Sequence, residues 1–129
     1  MYYTNDHEWI EYRGYTALVG ICKGKLSGDK ELLRVEFAED VSNMVRGSVI
    51  ATFYLTGNSF FVSMPVDGKI IEFNKKLIET PSLIVSWDQH QRSVWIAKIS
   101  PNAPYKREGL LQSHQYKPLK KKANNTANG

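Results

Sequence analysis

The chain has 129 residues, 42% of them hydrophobic and 23% charged, which suits one soluble domain with a real core. No apolar run reaches the ~18–20 residues that a bilayer-spanning helix requires, and the single cysteine, Cys22, excludes an internal disulfide and fits a reducing compartment. The formal net charge of +4 is uneven: residues 117–129 hold four of the 17 basic residues and no acid, leaving 13 basic against 13 acidic in the body.

In chain order, residues 7–13 and 15–21 are apolar-rich runs divided by Gly14, the pattern of a short hairpin. Residues 22–31, broken by Gly24 and Gly28 and anchored by Leu26, read as a short helix or a turn region. Strands fit 32–37, 48–54, 59–64, 68–73 and 94–99, in lengths typical of β-rich domains. Gly47, Gly57, Pro65 and Gly68 punctuate them. Lys75 to Ile84 is a loop with room for one helical turn before Pro81. Pro104 to Ser113, after Asn102, reads as a C-terminal helix with Tyr105, Leu110 and Leu111 as its apolar contacts. The tail from Lys117 to Gly129 has too little apolar content to fold and reads as disordered. The fold class is therefore β-rich, all-β or α+β, in a small barrel or sandwich.

Catalytic chemistry finds little support. Cys22 follows the apolar run Leu18-Val19-Gly20-Ile21, where a lone cysteine reads as a small buried hydrophobe. His7, His90 and His114 are scattered without metal-ligand spacing, so no metal site is expected. His7 reads as a structural hydrogen-bonding residue; His90 and His114 read as exposed. No glycine loop suited to phosphate is present, and Glu39-Asp40 adjoins a turn, where solvated carboxylates are common. The segment Tyr54-Leu55-Thr56-Gly57-Asn58-Ser59-Phe60-Phe61-Val62-Ser63 reads as strand, tight turn, strand, with Gly57 and Asn58 suited to positive φ. Phe60 and Phe61 are consecutive and so point to opposite faces.

Several stretches then occur in a telling order: Tyr3-Thr4-Asn5-Asp6-His7-Glu8-Trp9, Thr16-Ala17-Leu18-Val19-Gly20-Ile21, Val35-Glu36-Phe37, Val45-Arg46-Gly47, Pro65-Val66-Asp67-Gly68, and Gly68-Lys69-Ile70-Ile71-Glu72-Phe73-Asn74. Leu77, Pro81, Leu83, Trp95-Ile96-Ala97-Lys98-Ile99, Leu110-Leu111 and Tyr116 continue it. Together they resemble the glycine cleavage system H protein family over residues 2–116. The resemblance implies a barrel-sandwich hybrid in residues 1–116, a lipoyl-type domain, with 117–129 as a basic tail. It also implies a carrier rather than an enzyme. In that family a hairpin tip reading roughly Glu-Ser-Val-Lys-Ala carries lipoate on its lysine.

Counting back without a gap from Pro65-Val66-Asp67-Gly68 puts that lysine at Gly57 and the glutamate before it at Tyr54. Glycine has no amine to acylate, and residues 47–68 contain no lysine. Phe60-Phe61 replaces a polar and an acidic residue. The expectation is a non-catalytic, non-lipoylated module, without cofactor, that acts through protein–protein interaction. Its candidate surface is Tyr54, Leu55, Phe60 and Phe61. The expected partners are glycine cleavage or lipoate-metabolism proteins, or a second copy through the 54–62 hairpin. Membrane and nucleic acid are not expected, a transit peptide is not expected, and the cytoplasm is the default location. Two alternatives stay open: an authentic aminomethyl or lipoyl carrier with another attachment site, and a ligand- or nucleic-acid-binding protein that reuses the fold.

Overall fold

The computed structural model describes residues 1–26, 28 and 30–116; the basic tail, residues 117–129, lies outside the described residues. Eight strands form two antiparallel sheets. In chain order they are β1 (Tyr2–Tyr3), β2 (Glu8–Arg13), β3 (Thr16–Ile21), β4 (Leu32–Phe37), β5 (Val49–Leu55), β6 (Asn58–Ser63), β7 (Gly68–Phe73) and β8 (Ala97–Pro101). One sheet runs β1-β2-β3-β8-β7 and the other β4-β5-β6. Among the described residues the helical content is a single turn, α1 (Lys76–Glu79), and two 3-10 turns at Lys23–Lys25 and Pro81–Val85.

Alternation places the core between the sheets. Ala17, Val19 and Ile21 of β3 point inward with Ala97 and Ile99 of β8, and meet Phe53 of β5 and Val62 of β6. Full burial of each larger aliphatic or aromatic side chain in that set stabilises the fold by about 1.5–3 kcal/mol. A bulge between Val49 and Ala51 turns both Ile50 and Ala51 inward. Gly20 lets the indole of Trp9 lie against the backbone, since a Cβ there would sit 2.4 Å from the ring.

The strands expected at 32–37 and 68–73 stand in place, and the others differ by one to three residues at an end. The 22–31 region holds the 3-10 turn at Lys23–Lys25. The C-terminal helix is a correction: residues 104–113 form turns, closed by Lys106 N–H to Ala103 C=O and Leu110 N–H to Arg107 C=O. Gly109, at φ +76, interrupts any helical run. Stronger tertiary partners take over on either side of it. The Arg107 guanidinium lies over the Tyr12 ring at 3.5 Å. Leu111 exchanges two 2.8 Å backbone hydrogen bonds with Tyr3, which makes a bridge to β1. Tyr105, expected as an apolar contact, is 75% exposed.

Candidate functional site

The β5–β6 hairpin is a strand pair closed by two residues. The pairs run Leu55↔Asn58, Tyr54↔Ser59, Phe53↔Phe60 and Thr52↔Phe61, so Thr56 and Gly57 alone make the turn. Gly57 has φ +85, the value that a type II turn places at its third residue and that only glycine adopts cheaply. Asn58 already belongs to β6. No atom lies within 4 Å of where a Cβ on Gly57 would stand. The tip is braced from below by the Thr56 N–H, which donates to the Glu31 carbonyl at 3.2 Å.

The four side chains expected to share a surface divide between two faces. Leu55 is buried, and half-buried Phe60 stacks on Phe53 with ring centres 5.0 Å apart and planes 7° from parallel. Tyr54 and Phe61 take the outer face. Phe61 is 57% exposed. Tyr54 belongs to a small polar cluster that sequence reasoning missed: its hydroxyl donates to Glu36 Oε1 at 2.6 Å, Arg34 Nη1 pairs with Glu36 Oε2 at 3.0 Å, and the guanidinium lies 4.0 Å over the Tyr54 ring. The hydrogen bond from Tyr54, then the one from Arg34, holds the Glu36 carboxyl below its ordinary range. The signal was alternation alone: Arg34 and Glu36 are i, i+2 on β4 and so share a face.

The base of the hairpin carries a second feature that the sequence did not advertise. Glu8 of β2 is 1% exposed. Its Oε2 accepts from the Ser63 N–H at 2.7 Å and from Lys25 Nζ at 2.9 Å, and its Oε1 accepts from Thr4 Oγ1 at 3.2 Å. Burial pushes the Glu8 carboxyl up, against the pull of Lys25.

The nucleophile and metal candidates are built into the packing. Cys22 is buried, and that burial pushes its thiol up to about 11. The Tyr116 ring stacks on Tyr3 with centres 4.8 Å apart, and its hydroxyl meets His7 Nδ1. His90 and His114 are exposed. Among the described residues no three His, Cys, Asp or Glu side chains are grouped to hold a metal ion, and no helix is long and apolar enough to cross a membrane.

Among the described residues, no lysine belongs to the tip itself. Lys69 is the second residue of β7, opposite Ser100, in the five-stranded sheet. Lys23 and Lys30 line a cleft of about 570 Å³ beside the hairpin, together with Leu55 and Trp87.

A family model described as "Glycine cleavage H-protein" matches residues 1–123. The glycine cleavage system H protein of Dinoroseobacter shibae is 31% identical over 118 residues, 92% of this chain and 95% of that one. A mitochondrial glycine cleavage system H protein of Flaveria pubescens is 29% identical over 114 residues, 88% of this chain and 74% of that one. The crystal structure of a glycine cleavage system H protein from Mycobacterium marinum shares the fold, with TM-score 0.65 and 22% identity over 98% of this chain and 95% of that one.

Proposed function

The chain belongs to the glycine cleavage H-protein family, and on that premise we propose that it is a member without a lipoyl arm that acts by protein–protein contact. The family's proteins are lipoyl carriers and not enzymes by themselves. A carrier needs an amine at an exposed turn, and here the turn is present while the amine is not. That is the observation that carries the reading: Gly57 tops the hairpin, and no lysine occurs from residue 47 to 68. The group that the family implies therefore does not fit the residues at this tip. What remains there is a braced, uncharged hairpin with an exposed aromatic, which is contact chemistry rather than carrier chemistry. Its partners, on this reading, are proteins of glycine cleavage or of lipoate metabolism, the systems that handle the family's tip.

One observation favours a second reading, attachment at a different lysine. Lys30 adjoins Glu31, whose carbonyl accepts the Thr56 amide, and it lines the same cleft as Leu55. Expression with lipoate and an active lipoate ligase, followed by intact mass measurement, separates the two. The expected result is the unmodified mass. A stoichiometric lipoyl increment mapped to Lys30 or to any other lysine overturns the armless reading.

A further inference from the structure

We propose that β6 pairs edge to edge with β6 of a second copy of this chain, antiparallel about a two-fold axis, to make one continuous six-stranded sheet. The inference rests on the reading that the hairpin works by contact, and it names the occupant of that contact.

Sheet edges are ordinarily guarded by shortness, charge, bulges or a covering element, because unpaired N–H and C=O groups are a template for another strand. Three of the four edges here are guarded. β1 is two residues long. β7 carries Lys69 and Glu72 and a register shift between Ile70 and Glu72. β4 carries Arg34 and Glu36 and packs against the Pro81–Val85 turn. β6 is covered only at its end, where Glu8 takes the Ser63 amide; the stretch before it contains neither lysine nor proline, and residues 49–66 hold no charged side chain.

The direction of its backbone groups follows from the register. The closing pair of a two-residue hairpin is hydrogen-bonded, and the bonds alternate from there. Asn58, Phe60 and Val62 therefore turn their N–H and C=O groups to β5, and Ser59, Phe61 and Ser63 turn theirs outward. Ser63 agrees, since its N–H leaves the sheet to reach Glu8 Oε2 at 2.7 Å. Among the described residues, nothing accepts from the outward N–H of Ser59 or Phe61.

This free stretch is complementary to itself. With the axis at Phe60, the Ser59 N–H donates to the second copy's Phe61 carbonyl, and the Phe61 N–H to the second copy's Ser59 carbonyl. The axis doubles these into four hydrogen bonds. Every group in them otherwise faces solvent, and Ser63 keeps its bond to Glu8. On the outer face the exposed Phe61 ring lies beside the small Ser59 of the other copy. On the inner face Phe60 meets Phe60. A two-fold axis sets each residue near its own image, so a charge here would repel itself; an uncharged strand is what such a pairing requires. The contact is short, so the association is expected to be weak and reversible.

Sedimentation equilibrium of the full chain, with amide hydrogen exchange at low and high concentration, tests the pairing. The expected result is a reversible monomer–dimer equilibrium, with the Ser59 and Phe61 amides exchanging more slowly at high concentration. Phe61→Pro removes an N–H that no bond among the described residues uses, and an outward-facing edge position tolerates proline. Phe61→Lys adds the missing guard charge and covers the case in which the proline variant fails to fold. Either variant should weaken dimerisation by about tenfold or more while leaving the circular dichroism spectrum unchanged. A monomer at all concentrations overturns the pairing, as does a dimer that a folded Phe61→Lys leaves intact. Protection of these amides only on addition of a glycine cleavage protein gives the edge to another occupant and equally overturns it. An unmodified mass together with a monomer sinks this inference and leaves the armless reading standing.

Discussion

Glu8 Oε2 accepts a 2.7 Å hydrogen bond from the Ser63 backbone amide, and this contact fastens the hairpin's second strand to the five-stranded sheet. The carboxylate is buried and shares the same oxygen with Lys25 Nζ at 2.9 Å. Three elements thus meet on one charged group: β2, the Lys23–Lys25 turn and the end of β6.

Lys25→Met should cost about 3–5 kcal/mol at neutral pH, because it leaves a buried carboxylate without its cation. The pH dependence has a definite sign. The Glu8 pKa is already raised in the folded protein by burial, and loss of Lys25 raises it further. A raised folded pKa means that the native state binds the proton more tightly than the unfolded chain does. Stability is then gained as pH falls through the folded pKa toward the unfolded one, and lost as pH rises through the folded pKa. Urea unfolding of Lys25→Met at a series of pH values should recover part of the loss in mild acid. A loss independent of pH would show that Lys25 acts through packing.

Phe60→Ser and Phe61→Ser should behave differently although the residues are neighbours. Phe60 stacks on fully buried Phe53 and is itself half-buried, so truncation should cost about 2–3 kcal/mol, below the ~3–5 of a fully buried ring. Phe61 is 57% exposed, and its truncation should stay within about 0.5 kcal/mol. Denaturant midpoints at constant m-value decide the matter; similar losses from both would mean that Phe61 is covered within the monomer.

Much of this architecture was legible because alternation and glycine punctuation are local signals. The strands at 32–37 and 68–73, the tight turn at Gly57 and the opposed directions of Phe60 and Phe61 all follow from them. What went unread is tertiary in origin. Asn102, Pro104 and the apolar pair Leu110-Leu111 imitate a helix, but the bridge from Leu111 to Tyr3 and the hold of Tyr12 on Arg107 outweigh a propensity worth tenths of a kcal/mol per residue. β1 escaped notice because two residues carry no period. Glu8 follows Asp6 in a polar stretch, and nothing local says which of the two acids lies under the hairpin. Tyr54 and Leu55 looked like one patch because sequence neighbours seem close, whereas a strand sends them to opposite faces.

Tyr54→Phe should release Glu36. The phenol hydroxyl is the foremost cause of the lowered Glu36 pKa, ahead of Arg34. Its loss should move the Glu36 titration back toward an ordinary carboxylate, followed by NMR of the side-chain carboxyl carbon. A lowered folded pKa contributes stability above the unfolded pKa and loses it as pH falls through the folded one; any stability lost in Tyr54→Phe should therefore show at neutral pH and fade in acid. An unchanged Glu36 titration would mean that Arg34 alone holds the carboxylate.

Gly57→Lys asks whether the missing amine is the whole of what separates this hairpin from a carrier's. The new side chain meets no crowding, since no atom lies within 4 Å of the Cβ position. The backbone is the obstacle: at φ +85 a lysine costs roughly 1–2 kcal/mol, and the turn relieves that strain by changing shape. A ligase reads the shape of the turn as well as the amine, and here it also meets Tyr54 and Phe61 where the family carries acidic groups. Gly57→Lys alone should therefore be lipoylated poorly by an active lipoate ligase. The triple variant Gly57→Lys, Tyr54→Glu, Phe61→Asp should be lipoylated better, even though the new carboxylate at 54 must share Arg34 with Glu36. Intact mass after a fixed reaction time compares the two. Efficient modification of the single variant would show that the arm was lost with one residue and that the docking surface survived. No modification of the triple variant would place the divergence in the hairpin's backbone or the surface around it, beyond the reach of its three most altered side chains.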